Sequence, residues 1–238
     1  MKILLDLALV AVIAISVWNG YKKGLIMGVG GILVLVISIL VGNALSNAYS
    51  QEVITAMRPF ASGYTDKLLT KSVYAALGVD DSEYSIADLL EQSPDLGQTA
   101  SADALHSLGL STDAAKDAAE EAVRYAAEND ASLSDSLTEI VCSKVAFAAA
   151  FLLFFLLCAI VLTVLGNITN LSFRIPYLGS GNEVGGAVCG LIEGFLICLV
   201  IAWTLRFAGI IFPDGMLEGT WLLKFLMNHN MLAAYLGI

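Results

Sequence analysis

Apolar residues dominate this chain in four blocks: Leu4–Trp18, Leu25–Ala48, Val145–Leu165 and Val184–Leu205. A helix needs roughly 20 such residues to cross the hydrocarbon of a bilayer. Three blocks reach that length directly. The first reaches it by recruiting Met1–Leu4 and Asn19. A cleavable leader is the rival reading of that block, but Lys22 and Lys23 follow closely and no clean small-x-small site precedes them. Helices apolar on every side belong in lipid or in a buried core. The pattern predicts an all-α membrane protein with four transmembrane helices in two hairpins, over residues 1–48 and 141–212.

Between the hairpins, over residues 49–140, the pattern becomes amphipathic. Apolar residues recur at helical spacing among polar ones. Helices are predicted at Glu52–Phe60, broken at Arg58-Pro59, and at Thr65–Leu77, closed by Gly78 as a C-cap. Others are expected at Ile86–Gln92, Ala102–Leu108 and the alanine-rich Thr112–Glu128. Ser136 to Glu139 matches a capping box that starts a helix running through Cys142 and Lys144 into the third span. After Phe212–Gly215, the last stretch (213–238) carries an apolar stripe of Trp221, Leu222, Phe225 and Leu226. It is read as an interfacial or docking helix.

Charge sharpens this division. Residues 49–140 hold seventeen acids and five bases, against five acids and seven bases elsewhere. The middle segment is therefore an acidic, water-facing helical insert. Its charge would repel phosphates, so no nucleic-acid partner is expected. Lys22 and Lys23 lie between the first two spans and Arg174 between the last two. The positive-inside rule places both turns in the cytoplasm, with the termini and the insert outside.

Candidate chemistry is sparse. Glu193 stands inside the fourth span, where a carboxyl is costly and marks a functional position by default. Three roles are open to it. It hydrogen-bonds Ser38, Ser16 or a backbone carbonyl; it lines a polar cavity for ions or protons; or it faces its copy in an oligomer. Gly186, Gly190 and Gly194 follow one helix face beside it, and Gly24 and Gly28 make a similar pair in the second span. Small residues let helix backbones approach closely in lipid, within one chain or along a homo-oligomer seam. Asp6, one turn into the first span, is expected within about 10 Å of Arg206, at the end of the fourth.

Enzyme signatures are missing: there is no HExxH, GxSxG, P-loop or CxxC. An intramembrane aspartyl protease needs paired acids at one depth, and Asp6 and Glu193 differ in depth. Without an internal repeat, a secondary transporter is also disfavoured. Cys142, Cys158, Cys189 and Cys198 read as apolar packing residues. His106 and His229 lie far apart in sequence, outside the spans. No catalytic residue, metal site or cofactor is assigned.

The two hairpins carry a resemblance. Asp6, then Asn19-Gly20 and Lys23-Gly24, precede a glycine-bearing apolar helix; Gly181-Asn182-Glu183 precede Gly186, Gly190 and Gly194. In these features, over about residues 1–50 and 140–210, the chain resembles the colicin V production protein (CvpA) family of bacterial inner-membrane proteins. It departs from that family in being acidic at Glu183 and Glu193, where members often carry a basic residue. The resemblance implies a non-enzymatic factor for toxin production or secretion, or for envelope maintenance, in the inner membrane. Its expected partners are the lipid bilayer and membrane or envelope proteins. The alternative is a small oligomeric channel or proton-coupled permease using Glu193.

Overall fold

The computed structural model describes residues 2–78, 89–90, 94–107, 110, 112–168, 179–207, 220–228 and 231–236. The described residues are helical, with short turns and no strand. The helices are α1 Lys2–Lys23, α2 Leu25–Leu77, α3 Pro94–Ser107, α4 Thr112–Asn129, α5 Leu133–Ile168, α6 Gly179–Phe207, α7 Trp221–Asn228 and α8 Met231–Leu236. Four are long and apolar enough to span a membrane, over Leu4–Lys23, Leu25–Glu52, Leu133–Gly166 and Gly181–Leu205. The first span is complete because its helix runs on through Trp18 to Lys23.

The chain divides into two compact units. One comprises Met1–Ala48, Ala149–Leu205 and Gly215–Ile238; the other comprises Tyr49–Ala148 and Arg206–Asp214. The first unit holds apolar side chains on its outside as well as its inside. Leu153, Leu156, Leu157, Ile160, Val161 and Val164 of α5 are all exposed. Such a face is tolerated where the surrounding solvent is lipid. Within the unit, Trp203 is fully buried edge-on to Phe151, with ring centroids 4.9 Å apart. Gly42 lets α2 pass Phe151 and Phe155, since a Cβ there would lie 3.3 Å from both.

The second unit is built like a small soluble domain. Leu69 and Val73 of α2, Leu105 of α3 and Leu137 and Ile140 of α5 pack on the alanine face of α4, which includes Ala115, Ala118 and Ala122. Lys116, Asp117, Glu120, Arg124 and Glu128 occupy the exposed positions of α4. Arg58 pairs with Glu139 at 2.6 Å and Lys144 with Glu121 at 2.8 Å.

Three boundaries differ from those read in the sequence. The expected break at Arg58-Pro59 is absent: α2 continues for 53 residues with Pro59 inside it. Proline removes one helical hydrogen bond, at a cost of about 3 kcal/mol. Thr55, whose carbonyl loses that bond, is exposed, so water can replace it. The cap of α5 lies one turn before Ser136. Ser132 Oγ accepts from the Asp135 N–H at 3.1 Å and donates to Asp135 Oδ2 at 2.7 Å, while Ser136 Oγ donates to the Ser132 carbonyl. Asp130, at φ 51°, ends α4 just upstream and fixes where α5 starts. The helix read at Ala102–Leu108 begins earlier, at Pro94, because proline suits a first helical position. Gly78 does close α2, at φ +64°. Most of Ile86–Gln92, together with Arg174, Phe212–Gly215 and His229, lies outside the described residues.

Leu137→Ala removes a fully buried side chain from the core of the second unit. It should destabilise that unit by about 2–5 kcal/mol. Faster amide exchange in α3 and α4, with exchange in α1 unchanged, is the expected readout.

Candidate functional site

The site grows from one contact, that of α6 against α1. A Cβ on Gly186 would strike the carbonyl oxygen of Gly20, and one on Gly20 would strike the carbonyl oxygen of Gly186. A Cβ on Gly190 would meet the Ser16 carbonyl oxygen, and one on Gly194 would stand 3.0 Å from the Ile13 Cα. One helical turn further, Cys198 Sγ donates to the Leu9 carbonyl at 3.6 Å. Each four-residue step along α6 moves about one turn back along α1, so the two helices are antiparallel and in backbone contact. The glycine face of α6 is thus taken up inside the chain.

The turn between α1 and α2 is a single residue, Gly24, at φ +81°. Side chains rarely adopt that conformation. Gly24 is therefore a turn residue and not a helical one, but it still packs closely on α6: a Cβ on Gly186 would stand 2.7 Å from the Gly24 carbonyl carbon. Asn182 of α6 closes over it, and its Oδ1 accepts from the Leu25 N–H at 2.9 Å, capping α2. Beside it Tyr21 donates to Glu183 Oε2 at 2.8 Å. Lys22 Nζ lies 5.0 Å above the Trp18 ring. Gly28 meets α6 at Cys189, 2.6 Å from where its own Cβ would be.

Glu193 precedes Gly194 and emerges on the flank of this contact, toward α2. A Cβ at Gly31 would lie 2.9 Å from its Oε2. The side chain is half-buried and lines a cleft of about 470 Å³ among α2, α5 and α6, with Lys23 near one end and Met27, Gly30 and Thr163 on the walls. Gly30 faces open space. The remaining walls are mostly aliphatic. Ser38 Oγ donates to the Val34 carbonyl instead, at 2.7 Å. Ser16 faces Gly190 and Gly194. Among the described residues, neither Glu193 nor Lys23 has a hydrogen-bond or ion-pair partner.

Asp6 sits elsewhere, at the start of α1. Its Oδ2 accepts from the Trp221 N–H at 2.8 Å and its Oδ1 from the Leu223 N–H at 3.2 Å. One carboxylate thus satisfies two orphan donors in the first turn of α7. The Arg206 side chain, its expected neighbour, lies outside the described residues. Leu223 and Leu226 of α7 are buried against Leu9, Cys198 and Ala202, whereas Trp221 is 81% exposed and Phe225 is 49% exposed. The apolar stripe read in the sequence is thus split, with only part of it turned into the core. Among the described residues no cluster of His, Cys, Asp or Glu could hold a metal ion.

Two parts of this arrangement escape sequence reasoning. Gly31 as the neighbour of Glu193, and Asp6 as the cap of α7, both join residues far apart along the chain.

Residues 120–231 match the family model described as colicin V production protein. The match takes in the second pair of spans and α7; the first pair lies outside it. No curated protein and no solved structure matches the chain.

Gly190→Ala should destabilise the α1–α6 contact by about 1–3 kcal/mol, the usual cost of overpacking. Gly30→Ala, which meets nothing within 4 Å, should leave the thermal midpoint in detergent unchanged. Asp6→Ala should cost about 1 kcal/mol through loss of the cap. The expected sign is faster proteolysis near Trp221, with α1 still intact by hydrogen exchange.

Proposed function

We propose that the chain is a member of the colicin V production protein family, whose model matches residues 120–231, and that it is a non-enzymatic membrane factor. Its role is to support production or secretion of a colicin V-type toxin, or maintenance of the cell envelope, through partner proteins. That match is the observation that carries the reading. The chain is a multi-pass membrane protein, and the proposed location is the bacterial inner membrane. Lys22 and Lys23 flank the Gly24 turn beside exposed Trp18 and Tyr21. Basic residues and aromatic side chains of this kind favour the cytoplasmic interface. In that orientation the termini and the acidic segment face outward. The α6 glycine face is filled by α1, which supports partner contact through other surfaces.

A second reading is favoured by one observation, the unpartnered Glu193 lining a cleft at span depth. In that reading the protein is a small oligomeric channel or proton-coupled permease.

The two readings separate experimentally. In a colicin V-producing strain lacking its own family member, the chain should restore the zone of growth inhibition. Failure to do so while present in the membrane fraction would overturn the first reading. In liposomes carrying a pH-sensitive dye, the factor should give no flux above that of empty vesicles. PH-dependent flux that falls at least tenfold in Glu193→Gln would establish the permease instead.

A further inference from the structure

The cleft around Glu193 presents a charge pattern that the chain leaves unanswered. Lys23 stands near the end where α2 begins. Glu193 lies against Gly31, seven residues beyond the Gly24 turn, or about 10 Å along the helix at 1.5 Å per residue. Between them the lining is aliphatic, and Gly30 and Gly31 leave the surface of α2 low. A carboxyl group at this depth is costly to retain unless something meets it.

Three occupants compete. The phosphates of a lipid stay at the headgroup level, about two helical turns above Glu193, and acyl chains carry no donor. A second copy of this chain also fails, because its four apolar runs (4–18, 25–48, 145–165 and 184–205) contain no lysine or arginine. A symmetric contact would set acid against acid. A transmembrane helix of another protein can supply both an apolar body and a base at the required depth. The glycines allow its backbone to approach closely, as small residues do between helices in lipid.

We propose that this cleft docks a transmembrane helix of a partner protein. That helix carries an acidic residue at its interfacial end, facing Lys23, and a lysine or arginine about two turns deeper, facing Glu193. This rests on the partner-mediated role proposed above and specifies the surface through which it acts. A partner with the opposite order of charges is rejected, because it places like charges together at both positions.

The test uses the full chain, donor-labelled and reconstituted in phosphatidylcholine vesicles, with acceptor-labelled synthetic leucine-rich transmembrane peptides. One peptide carries glutamate at the interfacial end and lysine two turns deeper, one carries the swapped order, and one carries leucine at both positions. Energy transfer should show at least tenfold stronger association of the first peptide than of either other. Glu193→Gln should reduce that preference to near unity. Gly30→Leu, which fills open space in the cleft and leaves the carboxyl in place, should weaken association of all three. Equal association of the three peptides with the unaltered protein overturns the proposal and leaves an apolar groove filled by lipid. A preference that survives Glu193→Gln also overturns it. These vesicle measurements report on the cleft alone. Lost selectivity alongside restored toxin production would discard this docking surface and leave the broader role intact.

Discussion

Two backbones in direct contact organise the membrane unit. Water drives apolar helices together in a soluble protein, but lipid is as apolar as the helices and provides no such force. Dispersion between well-fitted surfaces must do more of the work, and it fades steeply as gaps open. Gly186 and Gly190 bring α6 so near to α1 that even one Cβ would collide with a carbonyl oxygen. The position of α6 then determines the rest. It brings Asn182 over the start of α2, sets Cys189 on Gly28 and aims Glu193 past Gly31. The carboxyl reaches the cleft because the residue after it is held against α1.

The two units meet their hydrogen-bonding and burial needs differently. In the acidic unit, alanines on α4 let leucines from three other helices close over them, while lysines, arginines and acids stay in water. That arrangement follows the ordinary rule of apolar inside and polar outside. The membrane unit buries hydroxyl-bearing residues such as Ser16 and Ser38, and it carries large aliphatic ones outside as well as inside. Ser38, fully buried there, bonds to the carbonyl one turn back. Glu193 is a carboxyl at span depth that lines a cleft, which is why functional interpretation concentrates on it.

The spans were legible because an apolar run of about 20 residues has few other uses. Gly78 was legible as a helix stop because its left-handed backbone suits glycine. Pro59 misled because local propensity is only a weak prior, and packing on both sides of it holds one helix together. Two capping boxes could be written in the stretch Ser132–Glu139; only the left-handed turn at Asp130 decides between them. At the site, the spacing of Gly186, Gly190 and Gly194 announced a close approach but not its partner. Gly24 read as half of a helical pair because its sequence spacing to Gly28 is right, while its backbone conformation was invisible. The capping role of Asp6 was not legible, because orphaned backbone N–H groups leave no mark in a sequence.

The carboxylate that caps α7 belongs to the first helix of the chain, and the glycine seam joins that same helix to α6. On the ribosome, α1 and α2 therefore enter the bilayer long before either counterpart exists. Until α7 is made Asp6 has no amide to hold, and the flat side of α1 is covered only by lipid or by an insertion factor. Assembly of this unit consequently waits until α6 and α7 have both been synthesised. A ribosome stalled between the hairpins would leave that unfinished side open to degradation.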